Sequence, residues 1–241
     1  MPTDAMDLPT GRSRAQPAAR PALVLSLLAL LSVVAPARAQ FYLSGAATAG
    51  TLGIGVQADL LLTSHLGVRA AYNGFASLSY TTDNSGITYN GKFEFQNMPL
   101  LVDYYPSAYG SFHLTGGIVL NKNKVTATGV LDAGNTITIN GNTYTQADLG
   151  GPLLGTITYP STAWYAGFGW GSPFHKDSHW GFVCDIGVMG ATPTAAISAP
   201  NETANAVLQA DLQAQMDSTQ ANLKKYATYW PSITLGVSYK F

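Results

Sequence analysis

Charged residues are scarce in this chain. Of its 241 residues, 10% are Asp, Glu, Lys or Arg and 46% are hydrophobic, whereas an average soluble domain has about 25% charged residues. The formal net charge is −1, which disfavours nucleic-acid binding. Together with 25 glycines and 13 tyrosines, this composition is typical of a protein whose outer face meets lipid and whose inner face is crowded.

Cysteine and long apolar runs are nearly absent as well. Cys184 stands alone, so an internal disulfide is excluded and other interactions must hold the fold together. The one extended apolar run, from Ala22 to Val34, is shorter than the roughly twenty residues that a helix needs to cross a bilayer. A spanning helix is therefore not expected.

The apolar run near the N-terminus has the features of a secretory signal peptide. Three arginines precede it, and Ala37-Arg-Ala39 supplies the small-x-small pattern of a cleavage site. We therefore expect residues 1–39 to be removed and residues 40–241 to form one domain with eight basic and eleven acidic residues. An exported chain without a spanning helix can enter a membrane only as a closed barrel, because lipid cannot pair the free edge of a sheet.

Alternation of apolar with small or polar residues is the main pattern of this domain. It is clearest from Ser232 to Phe241, where every second residue, beginning with Ile233, is apolar. Similar segments recur along the chain, and in one of them the even positions from Leu52 to Leu62 are predicted to face lipid. The short breaks between segments are predicted at 49–50, 63–65, 106–110 and 171–177, and the long breaks at 81–87, 127–153 and 191–227. The pattern predicts an all-β protein, an eight-stranded antiparallel up-and-down transmembrane β-barrel with its long connections outside the cell.

Two segments complicate the alternation. Between Thr88 and Tyr105 the parity slips near Gln96-Asn97, so either a bulge restores the register or Phe93 and Phe95 pack inside. The long polar stretch that follows contains Asn140-Gly141, a strong hairpin signal. We expect that loop to carry its own hairpin, and the barrel to resume around residue 154.

The region from Asn201 to Tyr226 shows no alternation and is predicted to be a helix in the last extracellular loop. It opens with Asn201 as a capping residue and repeats apolar residues at Leu208, Leu212 and Met216. Two roles remain open: packing on the mouth of the barrel, or acting as a lid or a contact surface for a partner.

Four charged residues have the parity of the barrel interior, and each is predicted on a different strand. They are Asp59, Arg69, Asp103 and Asp185. An eight-stranded barrel is only wide enough to be filled by its own side chains, so we predict a buried charge cluster that plugs the interior, with a narrow gate as the alternative. Three acids against one base require water, a raised pKa or a second cation.

Several large aromatic residues have outward parity and are predicted to lie at the membrane interfaces. They are Tyr72, Tyr104, Trp164, Trp170 and Trp180. The four histidines, His65, His113, His175 and His179, are all predicted near the periplasmic end. None has a Ser and an acid placed for lipid hydrolysis in the outer leaflet, and their spacing is not that of a metal site. We therefore predict no enzymatic activity, no metal and no cofactor.

Three segments resemble the transmembrane domain of outer-membrane protein A and its relatives. They are Leu52 to Tyr72, Leu101-Val-Asp-Tyr-Tyr-Pro106 and Leu235-Gly-Val-Ser-Tyr-Lys-Phe241. The resemblance implies eight strands and a C-terminal signal, Tyr239 and Phe241, that the barrel-assembly machinery reads. It also implies a salt-bridged plug, with the signs exchanged, because Arg69 and Asp103 fall where the family carries a carboxylate and a lysine.

The sequence thus predicts a monomeric outer-membrane protein with a structural or surface-interaction role. Its expected partners are outer-membrane lipids and, during biogenesis, periplasmic chaperones and the assembly machinery. The alternative is a small transporter or narrow pore similar to outer-membrane protein W, which would need an apolar funnel with a gap between strands.

Overall fold

The structure of the chain is a computed structural model that describes residues 42–84, 86–108, 110–171 and 178–241. The predicted signal peptide and His175 lie outside these residues. No helix in the described part of the chain is long and apolar enough to cross a membrane.

The described residues form thirteen strands and two helices, which confirms the prediction of an antiparallel all-β fold with a helix near the C-terminus. The strands are β1 (Tyr42–Gly50), β2 (Gly53–Thr63), β3 (Leu66–Asn84), β4 (Ile87–Tyr104), β5 (His113–Asn121), β6 (Lys124–Leu131), β7 (Thr136–Ile139), β8 (Asn142–Thr145), β9 (Leu153–Thr158), β10 (Thr162–Trp170), β11 (Trp180–Gly190), β12 (Thr194–Ser198) and β13 (Tyr229–Lys240). The helices are α1 (Gln146–Leu149), a single turn, and α2 (Ala206–Tyr226).

Eight of these strands pair in a closed ring. In order around the ring they are β1, β2, β3, β4, β5, β10, β11 and β13, and each is antiparallel to both of its neighbours. The pairing of β1 with β13, for example Ala47 opposite Val237, closes the ring. Each of these strands therefore has hydrogen-bonding partners on both sides.

The two faces of the ring differ sharply in polarity. In β13, Leu235 and Val237 are more than half exposed, whereas Ser232 and Ser238 are at most 1% exposed. The alternation arises because successive side chains of a strand point to opposite faces. The outward face of β13 is thus apolar and exposed, while its small and polar residues face the interior.

On one side, the sheet continues beyond the ring of eight strands, and this part is here called the sheet extension. It consists of β6, β9 and β12 together with residues 78–84 of β3 and 87–94 of β4. Only Lys122 and Asn123 separate β5 from β6. Both strands pair with β4, and the residue pairing runs from one strand to the other without a shift in register. The predicted strand from residue 154 to Trp170 is likewise interrupted, at 159–161, to give β9 and β10.

One face of the sheet extension is covered by α2 and the β7–β8 hairpin. The buried residues of this contact are Ile87, Leu131, Ile139, Tyr144, Leu149, Ala199, Leu208 and Leu212. The predicted hairpin at Asn140-Gly141 is confirmed, since both residues have positive φ, 48° and 89°, as a tight two-residue hairpin turn requires. The helix therefore packs on the sheet extension through two of its three predicted contact residues.

The first turn of the chain differs from the prediction. The tight reversal is at Thr51-Leu52 and not at Ala49-Gly50. Leu52 was predicted to face lipid but is buried, because it lies in the turn and the following Gly53 has a positive φ of 114°. The alternation thus begins two residues later than the sequence pattern indicates.

All three predicted long loops are partly strand. Residues 194–198, within the break predicted at 191–227, form β12. Residues 81–84 belong to β3, where Thr81 and Asp83 are hydrogen-bonded to Asn90 and Thr88 of β4. Residues 127–131 belong to β6. Thr81 and Asp83 resemble turn residues in the sequence because they are polar and exposed to solvent on a paired strand.

The predicted bulge at Gln96-Asn97 is wrong in position. The register shift lies in β3, between Phe75 and Leu78. Of the two residues in the inward alternative, Phe95 is half-buried with its ring 6.2 Å from that of Trp230, whereas Phe93 is exposed. The helix cap is also displaced: Asn205, and not Asn201, accepts hydrogen bonds from the backbone N–H groups of Val207 and Leu208.

Candidate functional site inside the ring of strands

Arg69 lies at the centre of a buried charged network inside the ring. Its Nη2 donates to Oδ1 of Asp103 at 2.6 Å, and its Nη1 donates to Oδ2 of Asp185 at 2.7 Å. These residues lie on β3, β4 and β11, so the arginine links strands on opposite sides of the ring. All three are at most 6% exposed. An arginine can do this because its planar group presents donors in a rigid fork.

His113 and Thr115 of β5 complete the network. The Nε2 atom of His113 lies 2.8 Å from Oδ1 of Asp185. The hydroxyl of Thr115 donates to Oδ1 of Asp103 at 2.6 Å and accepts from Arg69 at 3.1 Å. Neither residue is among the four predicted members of the cluster. The signal was present, because both have inward parity in a strand already predicted.

Asp59 is adjacent to Arg69 but is bound by other groups. The two residues are opposite each other in the β2–β3 register. The carboxylate accepts from Gln57 Nε2 at 2.8 Å and from Ser44 Oγ at 3.2 Å. Two neutral donors thus solvate this carboxylate within the interior, so the structure brings together all four predicted charged residues but uses only three in ion pairs among the described residues.

A glycine on β10 makes room for the network. A Cβ atom on Gly169 would overlap the carboxylate of Asp185 and lie 2.6 Å from Nε2 of His113. Since real side chains do not approach so closely, the absence of a side chain at this position lets the histidine and the aspartate meet.

The charged layer lies between apolar layers along the axis of the ring. Along β4, the inward residues run Leu101, Asp103 and then Tyr105 just beyond the strand. On one side, Tyr105 packs with Leu61. On the other side, Leu101 belongs to a cluster with Leu52, Val119, Ala163, Tyr165, Met189 and Ala191. Low-polarity layers on both sides keep water from competing for the ion pairs.

Little space remains beside the network. A cavity bordered by Arg69, Asp185 and Leu101 has a volume of about 20 Å³, which is room for roughly one water molecule. The interior at this level is therefore filled by side chains.

The predicted interface aromatics all lie on the outer surface. Tyr72, Tyr104, Trp164, Trp170 and Trp180 are each exposed. The C-terminal residues Tyr239 and Phe241 are also exposed, and their rings lie 5.5 Å apart.

Two further histidines, His65 and His179, are apart from this network. Both are exposed, close to the strand ends where the described chain begins and ends. Within the described ranges, no three His, Cys, Asp or Glu side chains are arranged to hold a metal ion.

Comparison with known proteins gives structural matches alone. No family model matches the sequence, and no curated protein is significantly similar to it. The chain is similar to the crystal structure of CarO2 from Acinetobacter baumannii, with 22% identity, coverage of 83% of this chain and 98% of that one, and a TM-score of 0.55. For CarO of the same organism the values are 20%, 82%, 97% and 0.50.

A third match is a major outer membrane protein from Thermus thermophilus, with 17% identity, 84% and 100% coverage and a TM-score of 0.40. The likeness to the two Acinetobacter proteins is one of fold. The resemblance to outer-membrane protein A stays a prediction.

Proposed function

We propose that the protein is an integral protein of the bacterial outer membrane and that its ring of eight strands is the membrane-spanning barrel. The support is the closed ring, in which each strand is paired on both sides, together with its apolar outer face. Backbone groups in lipid must be paired within the protein, and a closed ring achieves this. The exposed aromatics at both ends of the ring match the interface positions of such barrels.

The proposed role is structural or one of surface interaction, without conduction and without catalysis. The observation that carries this proposal is the ion-paired Arg69, which is bound to Asp103 and Asp185 across the interior. Removing any one partner would leave buried charge uncompensated, so the arrangement favours permanent closure. A transporter with a lateral opening has less support, because the eight strand pairings leave the ring closed.

The proposed orientation follows from the two longest connections, and the tight turn at Thr51-Leu52 is an exception because it lies at the same end as these connections. Ser64-His65 and residues 105–112 join strands at the end of the ring where β1 starts and β13 finishes. The β7–β8 hairpin and α2 lie at the other end. In barrels of this type short turns are periplasmic and long connections are extracellular, so we place the sheet extension and α2 outside the cell. We further propose a monomer that is assembled through recognition of Tyr239 and Phe241.

The membrane location can be tested with tryptophan fluorescence. Two variants each retain one tryptophan, the others being replaced by Phe: one keeps Trp164, on the outer surface, and the matched control keeps Trp230, which faces inward beside Phe95 and Tyr159. After folding into vesicles of brominated phosphatidylcholine, we expect strong quenching of Trp164 and weak quenching of Trp230, because bromine quenches on contact in the acyl region. Equal quenching of the two in proteins that migrate as folded on unheated gels would count against a spanning barrel.

A further inference from the structure

Two lysines lie on the outer surface where the ring gives way to the sheet extension. Lys122 and Lys124 are exposed, and they alternate with the buried Asn121 and Asn123. The exposed apolar residues Ile118 and Leu120 precede them on the same face of the chain. The lysines are thus the first charged residues beyond the apolar surface on these strands.

Buried asparagines fix the positions of the two lysines. The backbone N–H of Lys122 donates to the carbonyl of Gln96 at 2.9 Å. The side-chain oxygen of Asn123 accepts from the N–H of Gln96 at 2.9 Å, and that of Asn121 accepts from the N–H of Asn123 at 2.8 Å. This segment between β5 and β6 is therefore held in place.

The lysines border a groove with two adjoining cavities. One, of about 590 Å³, is lined by both lysines, Glu94, Phe95 and Tyr72 among others. The second, of about 300 Å³, is lined mainly by apolar atoms, including those of Met98 and Leu120, and also includes Lys122. Between them, Gln96 Nε2 donates to the hydroxyl of Tyr72 at 2.6 Å. Volumes of this order are typical of ligand sites.

The groove has an excess of positive charge. Among the described residues, neither Lys122 nor Lys124 has an acidic partner within 4 Å. Glu94 lies opposite Lys124 in the strand register but is paired with Lys92 at 2.7 Å. The groove therefore has two lysines and one carboxylate, and that carboxylate is already paired with Lys92.

We propose that this groove binds an anionic lipid, with its phosphate group on Lys122 and Lys124 and an acyl chain against Met98 and Leu120. The inference rests on the proposed membrane-spanning function, since it places the lysines at the height of the lipid headgroups. A lysine ammonium is a compact point charge that suits phosphate, and the apolar cavity continues directly into the lipid-facing surface. The two lysines thus contact the headgroup of the lipid, and the apolar residues contact the acyl chain of the same molecule.

The test measures lipid retention by the full chain folded in neutral detergent. Phosphatidic acid and phosphatidylcholine of the same acyl length are titrated, and native mass spectrometry counts the bound lipid. We expect tighter binding of phosphatidic acid, weakened roughly fivefold by Lys122→Gln or Lys124→Gln and roughly 30-fold by both. The matched control carries Lys224→Gln and Lys225→Gln, at two exposed lysines at the end of α2, and should leave lipid binding unchanged.

Each other result contradicts the proposal. Equal binding of both lipids, or an equal loss in the control variant, would show charge attraction without a site. Displacement of phosphatidic acid by excess inorganic phosphate would show a site for free anions and not for a lipid.

Insertion into vesicles of pure phosphatidylcholine separates this inference from the proposed function. A protein that inserts there but shows no preference for phosphatidic acid overturns the lipid site alone. A protein that does not insert overturns the membrane-spanning function as well.

Discussion

At the residue scale, the central feature is one arginine that satisfies two carboxylates in a water-poor interior. The sequence predicts the four charged residues because strand alternation assigns each side chain to a face. The resemblance to outer-membrane protein A implies the pair of Arg69 with Asp103, but nothing in the alternation predicts the pair with Asp185, because that depends on the register of strands far apart in the chain. Asp185 forms an ion pair with Arg69 across the interior. Asp59, which lies directly opposite Arg69 on the neighbouring strand, is instead bound by Gln57 and Ser44.

Replacement of Arg69 by Met should destabilise the protein strongly. Two buried carboxylates would lose their cation, and breaking a buried pair by removing one partner costs about 3–5 kcal/mol. Urea unfolding in lipid vesicles would measure the loss. The variant R69M/D103N/D185N removes the uncompensated charges and should recover most of the stability, while a triple variant as unstable as R69M would argue against the ion pairs as the cause.

Gly169→Ala should also destabilise the protein. The added methyl group would displace the contact between His113 and Asp185, and overpacking of a filled interior costs about 1–3 kcal/mol. The matched control is Gly116→Ala on the neighbouring strand, where the nearest atom to the new Cβ is 3.9 Å away. Thermal unfolding of both variants provides the measurement, and equal midpoints would contradict the crowding that the structure shows at Gly169.

At the element scale, the regular strands of the ring follow the sequence pattern and the sheet extension does not. The outward face of β13 agrees with the alternation residue by residue. In the sheet extension, polar residues such as Thr81 and Asp83 are exposed to solvent on a paired strand, so their composition is that of a loop. Composition alone cannot separate an exposed strand from a turn.

The contact between α2 and the β7–β8 hairpin includes one buried carboxylate, that of Asp211. Asp211 of α2 accepts from Tyr144 Oη, from Asn142 Nδ2 at 2.7 Å and from Asn140 Nδ2 at 3.1 Å. These hydrogen bonds, led by that of Tyr144, lower the pKa of Asp211. The hydrogen bond to Asp211 raises the pKa of Tyr144 to about 12. The docked hairpin therefore favours an ionised carboxylate at Asp211 and a protonated phenol at Tyr144.

This contact should be sensitive to pH at both extremes. A lowered folded-state pKa means that the contribution of Asp211 is complete above its ordinary value of 3.8 and is lost as the pH falls through the lowered value. A raised pKa means that the contribution of Tyr144 is complete below 10 and is lost as the pH rises towards about 12. Hydrogen exchange of residues 136–145, corrected for intrinsic rates, should increase in both ranges.

Asp211→Asn should increase hydrogen exchange of the same hairpin at neutral pH and remove its response to acid. Gln213→Asn, which changes an exposed residue on the same helix, serves as the control. Hairpin protection that is unchanged in Asp211→Asn would show that apolar contacts such as Leu208 hold the hairpin without the carboxylate.

At the scale of the whole molecule, the outer surface and the interior have opposite requirements. The outside presents apolar side chains because lipid surrounds it in the proposed function, while the interior of so narrow a ring must be filled by side chains. The sequence predicts the closed ring because no other fold lets strands enter a membrane. The sequence predicts α2 and the hairpin but not the sheet extension that they cover, because the extension depends on pairings between β4, β6, β9 and β12.

The central claim, that side chains around Arg69 close the interior, is tested most directly by single-channel recording in planar bilayers. The protein, shown to be folded by its migration on unheated gels, should produce no stable conductance steps, because the space beside the network admits roughly one water molecule. Reproducible steps of one size from the folded protein would contradict the account and identify the charged network as the lining of a pore.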